Sequence, residues 1–118
     1  MSLAAGLGCE RVAENLLREN GLRLLYRNYR CRWGELDLVM LDGPLLVIVE
    51  VRARRRGTLI AAEETVGPRK RARLIAAAGH LLASRPRLAD RPVRFDVVAI
   101  TPIDGDYTVR WLKDAFRQ

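Results

Sequence analysis

The stretch from Gly34 to Ala53 restricts the fold more than any other part of the chain. It reads Gly-Glu-Leu-Asp-Leu-Val-Met-Leu, then Asp-Gly-Pro, then Leu-Leu-Val-Ile-Val-Glu-Val-Arg-Ala. Two short apolar runs around a turn signal form the pattern of a β-hairpin with a buried face. Into these runs the sequence sets Glu35, Asp37 and Glu50. An ionised carboxylate in a half-buried strand has to be paired, protonated or bound to a cation. Three of them on one hairpin, with Arg52 beside Glu50, suggest a divalent-metal site directed at a phosphate.

Register decides whether those side chains meet. Alternation places Glu35 and Asp37 on one face of the first strand, and Glu50 and Arg52 on one face of the second. A loop of residues 42 and 43 sets Glu35 opposite Glu50, whereas a loop of residues 42–45 sets Asp37 opposite Glu50. Either even-length loop collects all four side chains on one face. An odd-length loop, without a compensating bulge, throws Glu50 to the other.

The remaining chain supplies a frame for this hairpin. Residues 4–19 predict an amphipathic helix with Ala5, Cys9, Val12, Ala13, Leu16 and Leu17 on one stripe, stopped by Asn20-Gly21. Glu10 lies at the edge of that stripe, placed either to reach a site beside the core or to favour the helix N-terminus from the surface. Glu14 is expected to point further toward solvent. A first strand is expected over 22–29 and a short basic connector over 30–33, followed by the hairpin strands at 35–41 and 45–53. The polar segment 54–67 reads as a loop bordering the site. A second helix is expected over 68–84, with Pro68 in its first turn and Leu74, Ile75, Ala78, Leu81 and Leu82 buried. Arg69, Arg73 and His80 fall on its opposite face, and Lys70 at the border. Strands at 93–101 and 107–112 flank the Asp104-Gly105-Asp106 turn. The order αβββαββ implies one α/β domain over residues 1–118, with a mixed sheet flanked by helices.

Bulk properties exclude several classes. No apolar run approaches the roughly 18 residues of a membrane span, and no signal-peptide pattern opens the chain. Cys9 and Cys31 lack metal-ligand spacing, so free thiols in the cytoplasm are expected. Lys and Arg number 21 against 14 Asp and Glu, a net charge of +7 that favours polyanions. Nineteen of the 21 are Arg, so codon drift competes as a cause. A charge run is also ordinary solvated surface, yet Arg54, Arg55, Arg56, Arg69, Lys70, Arg71 and Arg73 follow the hairpin acids closely. Trp33 and Tyr29 offer stacking surfaces beside them. No helix joins a basic face to bulky apolar anchors, which favours nucleic acid over a membrane.

Mg²⁺ is commonly held by one or two carboxylates, with water and substrate phosphate completing the shell. Asp37 and Glu50 can supply that pair, with the Val51 carbonyl as a further oxygen. Arg52 would stabilise charge developing on a phosphate. Two plainer readings compete: the acids pair with neighbouring arginines, or charge keeps a hairpin edge soluble. Asp96, within Arg94-Phe95-Asp96-Val97-Val98, is expected in a structural ion pair.

Taken together, these segments resemble the YraN-type family of small bacterial proteins. The resemblance rests on Glu10, Asn28-Tyr29-Arg30, Gly34-Glu35-Leu36-Asp37-Leu38, Val49-Glu50-Val51-Arg52, Lys70, Arg94-Phe95-Asp96-Val97-Val98 and the closing Trp111-Leu112-Lys113-Asp114-Ala115-Phe116. That family is similar to the PD-(D/E)xK nuclease superfamily, notably archaeal Holliday-junction resolvases. The resemblance implies a restriction endonuclease-like core, with Asp37 and Glu50 as metal ligands and Glu10 as an additional catalytic acid. From their positions beside these acids, Arg52 is expected as the catalytic cation and Glu35 as an accessory whose role depends on register. Arg52 stands where the superfamily's signature has Lys; arginine stays protonated and cannot serve as a general base, although it can clamp phosphate. The function expected is a Mg²⁺- or Mn²⁺-dependent DNA endonuclease, with branched DNA as one candidate substrate and a homodimer as one candidate assembly. The alternatives are a nucleic-acid-binding module that keeps the site without turnover, and an arginine-rich partner-binding protein.

Overall fold

The computed structural model describes residues 7–53 and 66–117. Their order is α1 (Leu7–Glu19), β1 (Arg23–Cys31), β2 (Gly34–Asp42), β3 (Leu45–Ala53), α2 (Pro68–Ser84), a 3₁₀ turn (Pro86–Leu88), β4 (Val93–Ile103) and β5 (Asp106–Phe116). The strands form one sheet in sequence order. Neighbours are antiparallel except β3 and β4, which run parallel with α2 in the crossover between them. This is the αβββαββ order and mixed sheet expected. The expected sites at Arg54, Arg55 and Arg56 lie outside the described residues.

The two helices cover opposite faces. Cys9, Ala13 and Leu17 of α1 recur every fourth residue and pack on Leu38, Met40, Val47, Val49, Val98 and Ile100. Leu74, Ala77, Ala78 and Leu81 of α2 pack on Val39, Leu46, Ile48, Phe95, Val97 and Ala99. Alternate residues of β3 and β4 thus serve two cores, which explains their near-continuous apolar runs. No helix among the described residues is long and apolar enough to cross a membrane.

Turn chemistry fixes the lengths. Helix α1 stops where Gly21 takes φ 90°, with Leu22 N–H donating to the Leu17 carbonyl and Gly21 N–H to that of Arg18. That bonding is a Schellman cap, and the Leu22–Leu17 pairing gives its usual apolar contact. Asp42 pairs with Leu45, so the β2–β3 turn is Gly43-Pro44 rather than Asp42-Gly43. Gly43, at φ 59°, supplies the positive φ that a two-residue turn requires at its first position. The β4–β5 turn places Asp104 at φ 41° and Gly105 at φ 80°, the paired positive values of a type I′ hairpin.

Three expectations are corrected. The connector at 30–33 shrinks to the turn Arg32-Trp33, because Arg30↔Glu35 and Cys31↔Gly34 continue the ladder. β5 runs to Phe116 instead of stopping at 112. Glu14 is buried rather than solvent-directed: Arg27 clamps its two oxygens at 2.7 and 2.9 Å, and Arg18 adds an ion pair at 2.9 Å.

Candidate metal and phosphate site

The hairpin register brings Asp37 and Glu50 together. β2 and β3 pair as Leu38↔Val49, Val39↔Ile48 and Leu41↔Leu46. The paired ladder ends at Leu38↔Val49, one step short of Asp37 and Glu50, and its alignment is the second of the two even ones. Both residues share strand parity with the side chains under α2. Asp37 accepts a hydrogen bond of 2.8 Å from the Val51 N–H, which fixes its carboxylate beside β3.

Glu50 is buried, its side chain 4% exposed. One oxygen faces two cations: Lys70 Nζ from α2 at 3.4 Å and Arg52 Nη1 from its own strand at 3.6 Å. The other, Oε2, is buried and makes no well-formed hydrogen bond among the described residues, although Asp37 lies close enough to act on Glu50. Burial pushes the Glu50 carboxyl above its usual range, against the opposing pull of Lys70 and Arg52. Burial, and next the Glu50 charge, raise Asp37 to about 7, although the Val51 N–H and Lys70 act in the opposite sense. The Glu50 charge keeps Asp37 from ionising fully, while a hydrogen-bonding interaction with Asp37 pulls Glu50 the other way, and a dication would relieve this buried pair.

The other expected residues separate by role. Glu10 reaches toward the hairpin: its charge bears on Asp37, but its Oε1 accepts from Asn28 Nδ2 at 2.7 Å. Glu35 faces Arg30 across the β1–β2 ladder at 3.7 Å, so its partner is an exposed arginine. Among the described residues no three His, Cys, Asp or Glu side chains gather as a metal cluster. The site therefore rests on the Asp37–Glu50 pair, a donor set that suits Mg²⁺, which keeps much of its water. Lys70, expected only as a contact for nucleic acid, sits on Glu50. Arg69 and Arg73 are exposed on α2.

Asn28 was missed as a site residue. It lies within β1 at φ 50°, where the ladder passes from Arg27↔Leu38 to Tyr29↔Leu36 without pairing Asn28 to Asp37. Asparagine tolerates the left-handed region better than most residues, and its amide then holds Glu10. The visible signal was an asparagine inside a strand pattern. Asp96 meets expectation: it is fully buried, Arg94 binds both oxygens at 2.8 and 3.0 Å, and Trp111 Nε1 and the Asp114 N–H donate at 3.0 and 2.9 Å.

A five-stranded mixed sheet between two helices, with an acid pair on adjacent central strands, is consistent with a restriction endonuclease-like α/β core. The chain belongs to the uncharacterised protein family UPF0102, whose sequence profile matches residues 9–100, in agreement with the YraN-type resemblance. It is 48% identical over 112 residues to a UPF0102 protein of Nitrosococcus oceani, covering 95% of this chain and 90% of the relative. A UPF0102 protein of Ectopseudomonas mendocina is 50% identical over 111 residues, covering 94% and 92%. One of Stutzerimonas stutzeri is 48% identical over 115 residues, covering 98% and 96%.

Proposed function

We propose that this protein is a metal-dependent phosphodiesterase of the PD-(D/E)xK type, acting on DNA as an endonuclease in the cytoplasm. The observation that carries the proposal is the buried Glu50 carboxylate interacting with Asp37, with no arginine closing its second oxygen among the described residues. Asp37 and Glu50 would hold Mg²⁺ or Mn²⁺, with the Val51 carbonyl as a further oxygen; such a cation supplies charge relief on the phosphate and an activated water. The protein's own groups do the rest. Arg52 and Lys70 present positive charge beside the acids, where a phosphate would develop negative charge. The Val51 N–H holds Asp37 in place. Glu10, fixed by Asn28, adds negative charge at the rim. Arg69 and Arg73, exposed on α2, lie outward of Lys70 for backbone contacts, and Arg54, Arg55 and Arg56 continue the chain from β3.

A second reading has its own support. Arg52 stays protonated and so cannot transfer a proton, and Glu50 already faces two cations. A nucleic-acid-binding module with little turnover would retain the same geometry.

Incubating the protein with branched, duplex and single-stranded DNA in Mg²⁺ or Mn²⁺ separates the two. Cleavage lost in both Asp37→Ala and Glu50→Ala supports the enzyme. Salt-dependent binding without cleavage supports the module. An affinity that hardly changes with salt argues against nucleic acid, because each neutralised phosphate adds to the slope.

A further inference from the structure

Beside the acid pair lies a second feature that phosphodiester chemistry does not use. A cleft of about 410 Å³ opens between the β1–β2 turn and α2, lined by Arg32, Trp33, Glu35, Lys70 and Arg73 among others. Trp33 is 44% exposed, one of two large apolar side chains so exposed among the described residues. It stands on a two-residue turn closed by Cys31↔Gly34 pairing, so its backbone is held by the ladder on both sides. The Arg32 guanidinium lies 4.7 Å from the centre of its ring. Lys70 belongs to both places, lining the cleft while its Nζ lies 3.4 Å from Glu50.

We infer that this cleft is a subsite for an unpaired nucleotide next to the phosphate bound at Asp37 and Glu50. The acid pair would thereby select nucleic acid with single-stranded character over an uninterrupted duplex. Adjacency to a bound phosphate rests on the proposed function, whereas base stacking rests on the cleft alone. An indole on a rigid turn offers a base a flat partner, and arginine beside it can share the stack. Bases inside a duplex already stack on one another and have no free face, so within a continuous duplex only an unpaired base can use Trp33. The volume is at the small end of the range for single-ligand sites, about 300–1,000 Å³, and suits one base rather than a stack of several. Charge suits the cleft to such a ligand. Lys70 and Arg73 on one wall and Arg32 beside Trp33 attract the phosphates flanking the base, and Glu35, paired with Arg30, leaves an oxygen that can accept from a base amino group.

The test uses full-length protein carrying Asp37→Ala, in EDTA, so that binding is read without turnover. The probes are a duplex with both ends closed by hairpin loops held outside the footprint, and the same closed duplex with an internal three-nucleotide unpaired flap bearing 2-aminopurine. The expected result is tighter binding of the flap, with 2-aminopurine quenched as it stacks. Trp33→Ala should reduce the flap-to-closed-duplex affinity ratio about 5- to 150-fold, the loss of one stacked base. Trp33→Phe should keep most of the ratio, which separates loss of a ring from damage to the turn. The subsite is overturned if Trp33→Ala leaves the ratio unchanged, or if closed and flapped duplexes bind equally to protein with Trp33 intact. If Asp37-dependent cleavage is found yet ignores both flap and Trp33, the nuclease stands and the subsite falls. If no cleavage is found but the Trp33-dependent ratio persists, the subsite stands and the nuclease falls.

Discussion

Replacing Asp37 by Asn should stabilise the metal-free protein at pH 8. The carboxyl is raised from 3.8 to about 7, by burial first and the Glu50 charge second. At ~1.36 kcal/mol per pH unit, that gap corresponds to a penalty of ~4 kcal/mol on the native state once Asp37 is fully ionised. The sign follows from proton binding. Between about pH 4 and 7 the native state holds a proton that the unfolded chain has released, so this residue's contribution to stability falls as pH rises. Below 3.8 both states are protonated and the penalty is absent. Asn is neutral throughout and keeps an acceptor for the Val51 N–H, now at 2.8 Å from Asp37. Urea unfolding in EDTA should therefore find Asp37→Asn more stable by ~2–4 kcal/mol at pH 8, the gap closing toward pH 4. Adding Mg²⁺ or Mn²⁺ at pH 8 should narrow the gap from the other side, since ligand at about 100 times its Kd adds ~2.7 kcal/mol to a native state that binds it. A gap that does not change with pH, or a variant less stable than wild type at pH 8, refutes the reasoning.

Other residues give independent checks. The bond from Arg27 holds the Glu14 carboxyl below its usual range, so its stabilisation is present above about pH 4.5 and is lost as pH falls through the lowered value. Glu14→Gln should cost ~1–2 kcal/mol at pH 7 and almost nothing near pH 2, read by urea unfolding. Asp96→Ala strands the Arg94 guanidinium and removes the acceptor of Trp111 Nε1 and Asp114 N–H; a loss of ~3–5 kcal/mol in the same assay is expected. Asn28→Ala should cost ~1 kcal/mol through its left-handed backbone and also free Glu10. Asn28→Gly should recover the stability but not the Glu10 bond, so any effect shared by the two variants on cleavage belongs to Glu10.

Legibility in the sequence followed the range of the forces involved. The hairpin, both helices and their order were readable because apolar period, Asn20-Gly21, Pro68 and Asp104-Gly105 are local signals. The Asp37–Glu50 pairing was readable only as one of two even registers. The choice depended on whether Asp42 would join the ladder, which follows from Gly43-Pro44 making a turn of two residues. Glu14 was misjudged because a helical wheel does not know that Arg27 of β1 crosses above it. Lys70 was placed at the border of its helix correctly, but its partner depended on how α2 lies over β3. Asn28 shows the limit most clearly, since a strand pattern carries no mark of a left-handed residue that breaks its own ladder.

The chain itself supplies the comparison that bears on whether the acid pair is merely structural. Asp96 and Glu14 are also buried carboxylates, and both are saturated. Asp96 receives Arg94 on both oxygens, with Trp111 and the Asp114 N–H besides. The β4–β5 register shifts between Phe95 and Val97, and at that irregularity the Asp96 side chain, rather than a strand carbonyl, accepts from the Asp114 backbone. Glu14 receives a bidentate arginine and a second one at 2.9 Å. With 19 arginines in the chain, such partners are not scarce. Glu50 is buried as they are, yet its cations stand off at 3.4 and 3.6 Å, on one oxygen, and among the described residues no cation reaches the other. A buried polar atom left unsatisfied costs ~1–3 kcal/mol, and more when charged. A purely structural acid would have been closed by arginine as Asp96 was; Glu50 interacts instead with a second acid, Asp37, and that difference is what favours the ligand reading of the pair.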